Sequence, residues 1–246
     1  MPSQTFAEGA LDAAQQTGKL SYDGYKKVWS DEFNGDSLNR ADWNVETHEK
    51  GWVNNELQEY VDSAENIQVK DGKLIINPVK KVTDGGTGSI KEATYYTSGR
   101  VSTQNKQTFT YGRFECRAKV PKGQGYLPAF WLMANDENVY GQWPRCGEID
   151  CMEVMGQETN KAYGTLHYGN PHSQSQGTYT ITDGADFSDD FHIYTCDWEP
   201  GKITWYVDGV KYHEESEWHS TTVGQGTLAY PAPFDQPFYI ILNLAV

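Results

Sequence analysis

The run Gly147-Glu148-Ile149-Asp150-Cys151-Met152-Glu153-Val154-Met155-Gly156 sets three carboxylates among apolar residues in one short segment. Polar and apolar positions alternate from Glu148 to Cys151, the period of a β-strand with two unlike faces. Charge inside a domain is costly unless it is paired or used, so the segment is either a solvated edge strand or a site. Glu148 and Asp150 share a face, whereas Glu153 lies an odd number of residues from both and points to the other side of a regular strand. One extra residue at Cys151 or Met152, a β-bulge, returns it to the shared face. The Glu-to-Glu span is then roughly 13 Å between Cα atoms, at ~3.3 Å per strand step. Side chains leaning together close most of that gap, leaving the ~5 Å carboxyl separation that suits glycosidic cleavage with retention, since inversion needs a wider gap for water. In this reading Glu148 is the nucleophile, Glu153 the acid/base, and Asp150 orients Glu148 and tunes its proton. Like charge and partial burial raise the pKa of whichever carboxyl acts as acid.

Working outward, short β-type runs recur at 26–33, 66–69, 73–79, 95–103, 109–120, 128–134, 162–168, 191–198, 203–207 and 238–246, separated by Gly, Asp, Asn and Pro. That density of short strands predicts an all-β sandwich. Asp208-Gly209 after 203–207 is a two-residue hairpin signal, and Glu199-Pro200-Gly201-Lys202 turns the chain just before it, so 191–210 reads as a meander. From 109 to 120 the apolar phase switches beside Gly112, which a bulge would repair. Residues 1–24 form a polar, Ala/Gln-rich extension with one weak helical segment at 7–16, and 80–92 reads as a long loop. The remaining 25–246 is expected to be one domain.

A length of 246 residues is ordinary for a single sandwich. With 20 Lys and Arg against 34 Asp and Glu, the net charge of −14 makes nucleic acid a poor partner. The most apolar stretch, 238–246, is too short and Asn-broken to span a membrane. Eight Trp and 16 Tyr outnumber 9 Phe, so most aromatic rings carry a polar handle. The bulk of them suit core and sheet edges, and a minority suit a cleft in which sugar rings stack. Cys116, Cys146, Cys151 and Cys196 show neither Cys-x-x-Cys spacing nor the density of a disulfide scaffold, and read as buried small hydrophobes. No His/Cys group has zinc-ligand spacing, and the first residues lack a signal-peptide pattern.

Further words accompany the acidic strand in one order over 25–246: Val28-Trp29-Ser30-Asp31-Glu32-Phe33-Asn34-Gly35, Asn54-Asn55-Glu56-Leu57-Gln58, Ser98-Gly99-Arg100, Tyr111-Gly112-Arg113-Phe114-Glu115, Pro128-Ala129-Phe130-Trp131-Leu132-Met133, Trp143-Pro144, Gly164-Thr165-Leu166-His167-Tyr168, Trp205-Tyr206-Val207-Asp208-Gly209 and Asn243-Leu244-Ala245-Val246. Together they resemble the laminarinase-like endo-β-1,3-glucanases of glycoside hydrolase family sixteen. The resemblance implies a jelly-roll sandwich of two curved antiparallel sheets whose concave face is an open substrate cleft. It places Glu148, Asp150 and Glu153 in the roles of nucleophile, helper and acid/base, as the geometry does, and the bulged spacing is the laminarinase-like form. It implies endo-acting, retaining cleavage of internal β-1,3 bonds of laminarin-type glucans, with mixed-linkage β-1,3-1,4-glucan as a second substrate, and a secreted or cell-surface location.

Among binding residues, Trp131 and Trp143 resemble sugar-stacking tryptophans, with core packing as the plainer account. Asn55 and Arg100 resemble hydrogen-bonding groups of the glycone side, the alternative for Arg100 being a salt bridge to Glu56 or Glu115. His167 resembles the residue near the acid/base on the aglycone side, or is a satisfied structural histidine, and Asn243 resembles a cleft-wall residue. No cofactor is needed for catalysis, while a structural calcium at Glu32 and the Gly72 backbone is implied. Family members normally continue past Asn-Leu-Ala-Val to a final strand that lies beside the amino-terminal one and adds an Asp to that calcium site. This chain stops at Val246, so either the sequence is cut there, another segment supplies the strand, or residues 1–24 act there; an unpaired sheet edge would otherwise invite association. Cys146, two positions before Glu148, is expected to bring a thiol to the cleft. Two other readings compete: a non-catalytic β-glucan-binding module, against which the retained Glu148 and Glu153 argue, and a same-fold hydrolase of a galactan. A sulfated galactan would favour a more basic cleft than a −14 chain offers.

Overall fold

Alternation along the long strands sends one set of side chains into a shared core and the next set outward, and two sheets face each other across that core. A computed structural model describes residues 3–5, 22–83, 93–224 and 226–246. The first sheet runs in the order Ser173–Thr180, Lys161–Tyr168, Glu148–Glu153, Leu127–Ala134, Phe238–Ala245, Arg100–Ser102 and Asn44–Val45, with Thr108–Phe109 also pairing Phe238–Ala245. Every pairing in it is antiparallel. The second sheet runs Val210–Glu215, Lys202–Val207, His192–Glu199, Gly112–Ala118, Ser3–Thr5 and Lys26–Trp29. Val101, Phe130, Leu132, Ile149 and Leu166 of the first sheet pack in one cluster with Phe114, Cys196, Trp198 and Trp205 of the second. This is the all-β sandwich expected, and no helix occurs among the described residues.

Two contacts tie the sandwich together. Trp205 is fully buried, and its indole Nε1 donates across the core to the carbonyl of Asp150 at 2.8 Å. Gly164 makes room for that ring: a Cβ there would stand 2.4 Å from Trp205 Cδ1 and 2.4 Å from the Tyr212 hydroxyl. On the outer face of the second sheet, Arg113 and Asp197 sit directly opposite each other and form a buried two-pronged ion pair. The Arg113 guanidinium also lies 4.4 Å from the Tyr25 ring centroid, and the Tyr22 hydroxyl donates to Glu115, so 22–25 is fastened to this face.

The meander is present, with Val207 opposite Val210 across an Asp208-Gly209 turn whose φ angles of 47° and 76° match the twisted two-residue hairpin. The phase switch beside Gly112 has a different cause from the bulge expected. Thr108–Phe109 belongs to the first sheet and Gly112–Ala118 to the second, so the chain changes sheets through Tyr111 and Gly112, at φ 68° and 125°. Three pairings also depart from antiparallel order: Ser3–Thr5 runs parallel to both its neighbours, and Gln58–Tyr60 runs parallel to Ala93–Ser98. Ser3–Thr5 brings part of the extension between Gly112–Ala118 and Lys26–Trp29. The helical segment read at 7–16 and residues 84–92 of the loop read at 80–92 lie outside the described residues, while 80–83 belong to the strand Val79–Thr83, paired with Ala93–Ser98, rather than to a loop. Replacing Trp205 by Phe removes the donor to a buried carbonyl, and is expected to lower unfolding stability by about 1–3 kcal/mol, measured by urea denaturation.

Candidate active site

Strand register places the site, because residues directly opposite each other point to the same face. Three rows cross the first sheet on the face turned away from the core. One contains Arg100, Asn243, Ala129, Glu153 and Tyr163; the next Ser102, Ile241, Trp131, Asp150 and Thr165; the third Tyr239, Met133, Glu148 and His167. Glu153 joins this face because Asp150 pairs Trp131 while Met152 pairs Phe130, leaving Cys151 as the extra, bulged residue. The bulge read from sequence is therefore present, and Glu148 and Glu153 stand two rows apart with Asp150 between them. The Trp205 indole described above bonds the Asp150 carbonyl, one residue before the bulge.

Burial governs the charge of the trio. Asp150 is 3 % exposed, and Glu148 reaches solvent through only 18 % of its side chain. Burial, then the Asp150 charge, holds the Glu148 carboxyl well above the usual range, with partial relief from His167 and a Trp143 hydrogen bond. Burial and then Glu153 do the same to Asp150. Glu153 is pushed up to about 7 by burial and by Glu148. Three carboxyls so placed cannot all be ionised near neutrality, and they share protons as a group.

His167 closes one end of this group. Its Nε2 lies 3.1 Å from Asp150 Oδ2 and 3.9 Å from Glu148 Oε1. Its Nδ1 meets His172 Nε2 at 2.9 Å, and the two rings stack at 5.1 Å. Trp143 covers the pair, with ring centroids 5.0 Å from His172 and 6.1 Å from His167. At 45 % exposure Trp143 is no core residue. His172 escaped the sequence reading. It sits in the hairpin between Lys161–Tyr168 and Ser173–Thr180, and the second of these strands has a single large apolar residue, Tyr179, so no periodicity announced the turn.

The other end is a packed polar wall. Trp131 donates from Nε1 to Asn243 Oδ1 at 2.7 Å, and Asn243 Nδ2 donates to the Tyr60 hydroxyl at 3.0 Å. Arg100 is held between the Trp131 and Trp52 rings, at 4.8 and 5.2 Å from their centroids, and its Nε donates to Glu46 Oε2 at 2.5 Å. The ion pair considered for Arg100 with Glu56 or Glu115 is thus replaced by one with Glu46, because Glu115 lies on the outer face of the other sheet, bonded to Tyr22 and Thr195. Burial works to raise the Glu46 pKa, but the Arg100 charge and hydrogen bonds from His48 and Arg100 bring it below the ordinary value. His48 in turn stacks on Trp52, with ring centroids 3.5 Å apart. Trp52, His48 and Glu46 were not foreseen; Trp52 stands three residues before Asn55, beside a motif that was read. Asn55 is exposed in a left-handed turn at φ 55°, in a loop joined to the last strand by Leu57 N–H donating to Val246 O at 2.6 Å.

Cys146 is fully buried, with its thiol pushed up to about 12 by burial and by the Glu137 and Glu148 charges, so it offers no thiol to the cleft. Glu32 and Gly72 line one crevice of ≈ 480 Å³ between the sheets, with Asn34 Oδ1 3.8 Å from where a Gly72 Cβ would stand. Calcium takes six to eight oxygens, and the neighbouring Asp31 carboxylate is already spent on the Phe33 N–H and the Trp43 indole. These residues do not by themselves make a calcium cage.

The model of glycosyl hydrolases family 16 matches residues 54–245. The chain belongs to that family. It is 43 % identical over 226 residues to a glucan endo-1,3-beta-glucosidase of Cryptopygus antarcticus, covering 89 % of this chain and 79 % of that protein. It is 40 % identical over 238 residues to glucan endo-1,3-beta-glucosidase A1 of Niallia circulans, covering 91 % of this chain but 34 % of that longer protein. The X-ray structure of an endo-beta-1,3-glucanase from Pyrococcus furiosus superposes with a TM-score of 0.72 at 37 % identity, over 89 % of this chain and 83 % of the other.

The raised Glu153 pKa has a consequence for this family 16 member that titration can read. A carboxyl at about 7 in the fold and 4.5 when free binds its proton more tightly in the folded state. Its contribution to stability is therefore present below the free value and is lost as pH rises through about 7. Urea midpoints are expected to fall between pH ~5 and pH ~8, and Glu153→Gln to flatten that slope. Part of the slope will persist in the variant, because burial also raises Glu115 to about 7.

Proposed function

We propose that the protein is an endo-acting, retaining β-1,3-glucanase that cleaves internal bonds of laminarin-type glucans, with mixed-linkage β-1,3-1,4-glucan as a second substrate. The observation that carries this reading is the Cys151 bulge, which puts Glu148 and Glu153 on one face with Asp150 between them. Glu148 attacks the anomeric carbon while Glu153, protonated at its raised pKa, gives its proton to the departing oxygen. A covalent glycosyl-enzyme results. Glu153, now a carboxylate, takes a proton from water, which displaces Glu148 with a second inversion. Asp150 bonds Glu148 and spreads the remaining charge over two carboxyls. His167 Nε2 faces both of these carboxyls, 3.1 Å from Asp150 Oδ2 and 3.9 Å from Glu148 Oε1.

Substrate contacts follow from exposure. Trp143 and Trp52, each 45 % exposed, stand at the two ends of the carboxylate trio; the Trp52 ring is stacked on His48 and lies beside Arg100, so Trp143 is the freer platform for a sugar ring. Trp131 and Asn243 form the wall between them, and Asn55 reaches from its loop beside the last strand. Arg100 acts mainly by holding Trp131 and Glu46 in place. No step in this scheme uses a cofactor, and calcium at Glu32 and Gly72 plays no part in it. Residues 25–246 constitute the catalytic domain in this reading, 1–24 its extension, and a polymeric substrate accords with action outside the cell or at its surface. Association of copies through a sheet edge is a further proposal, for which Lys26–Trp29, at the end of the second sheet, is the strand concerned.

The decisive experiment is hydrolysis of laminarin, mixed-linkage glucan and agarose followed by proton NMR. Internal cleavage of laminarin with the β-anomer appearing first is expected; an initial α-anomer, or products from agarose alone, would refute the proposal. Glu153→Gln is expected to lower kcat on laminarin by about 10²–10⁴-fold while laminarin binding persists. Binding without any wild-type hydrolysis would instead identify a glucan-binding module. The pH-rate profile should be bell-shaped and report the coupled carboxyls rather than one residue.

A further inference from the structure

We propose that Glu148, Asp150 and His167 form a binding site for a borderline transition-metal cation such as Zn²⁺, and that occupancy of this site and productive glucan binding are mutually exclusive. One donor atom from each residue lies within 4.8 Å of the others. His167 Nε2 is 3.1 Å from Asp150 Oδ2 and 3.9 Å from Glu148 Oε1. Bonds of ~2.0–2.1 Å in a tetrahedral zinc site put donors roughly 3.4 Å apart, so small side-chain rotations seat the ion.

Asp150 supplies an independent observation. It is 3 % exposed, and no well-aligned hydrogen bond reaches its Oδ2, which has His167 Nε2 3.1 Å away as an ion-pair contact. A buried carboxylate oxygen met only by a poorly aligned contact is incompletely satisfied, and a cation between it and the imidazole serves both. The ring's other nitrogen is also provided for. His167 Nδ1 is 2.9 Å from His172 Nε2, so with Nε2 on the metal the Nδ1–H donates to His172, the outer partner that metal-bound histidines generally have. One imidazole nitrogen with two carboxylates favours zinc or copper over calcium and magnesium, which prefer oxygen alone and more of it. Three protein ligands leave a fourth position for water, as in open zinc sites. An ion here ties up the proposed nucleophile, so it blocks hydrolysis and is reversed by chelation.

Isothermal titration of the full chain, stripped with chelator, with ZnSO₄ measures binding without reference to activity. One site per chain is expected, lost in His167→Gln and in Glu148→Gln, and weakened about 10–100-fold in His172→Phe, whose exposed position leaves folding intact. Laminarin oligosaccharide added first should suppress the zinc heat, and Ca²⁺ or Mg²⁺ should not. Circular dichroism verifies that each variant is folded. Zinc affinity unchanged in folded His167→Gln, or a zinc heat indifferent to saturating oligosaccharide, overturns the proposal. Failure of glucan hydrolysis in the wild type leaves the zinc result standing, so the two readings fail separately.

Discussion

A hydrogen bond from Trp205 to the carbonyl of Asp150 holds the point on which the site depends. A bulge frees backbone groups from the ladder, and a freed carbonyl inside a domain must find a donor. The opposite sheet supplies it, through an indole that can approach only because residue 164 has no side chain. That one bond joins the sandwich to the phase of the acidic strand. With the bulge fixed, Asp150 and Glu153 share a face; without it, Glu153 turns toward the core. Packing between sheets and alignment of the carboxyls are thus the same structural fact seen from two sides.

The tryptophan excess divides along similar lines. Trp43, Trp198, Trp205 and Trp218 are buried, and each indole N–H has an acceptor: Asp31, Phe234 O, Asp150 O and Pro231 O. Trp52 and Trp143 are exposed at opposite ends of the acidic trio, while Trp131 is half-buried and bonded to Asn243. The buried rings define the frame, and the exposed ones have surface to give to a ligand. Arg100 belongs to the frame: its charge is met by Glu46 and its faces by two indoles.

Much of this was legible in the residues because it follows from period-two geometry. The odd spacing between Asp150 and Glu153 demands a bulge if the carboxyls are to cooperate, and the Asp208-Gly209 turn demands a hairpin. What could not be read were relations between distant segments. Glu46 and Arg100 are 54 residues apart, and nothing local joins them. The phase switch at Gly112 looks the same in sequence whether a strand bulges or leaves its sheet. Ser173–Thr180 pairs as well as any strand, yet its polar composition hides it, and His172 with it. Cys146 seemed close to the cleft by count, but its side chain is fully buried.

The strand Phe238–Ala245 lies between Leu127–Ala134 and Arg100–Ser102, both made more than a hundred residues earlier. Until it arrives, those two strands each present an open apolar edge, with Leu132 and Val101 among the residues that later become fully buried. Synthesis therefore passes through a stage in which the acidic strand can already pair its neighbours while the centre of the sheet is still missing. Closing the sheet is an insertion between two waiting edges, a step of large loop-closure cost and one in which another chain's strand can compete. The same insertion delivers Asn243 to Trp131, so the polar wall of the site and the continuity of the sheet are completed together.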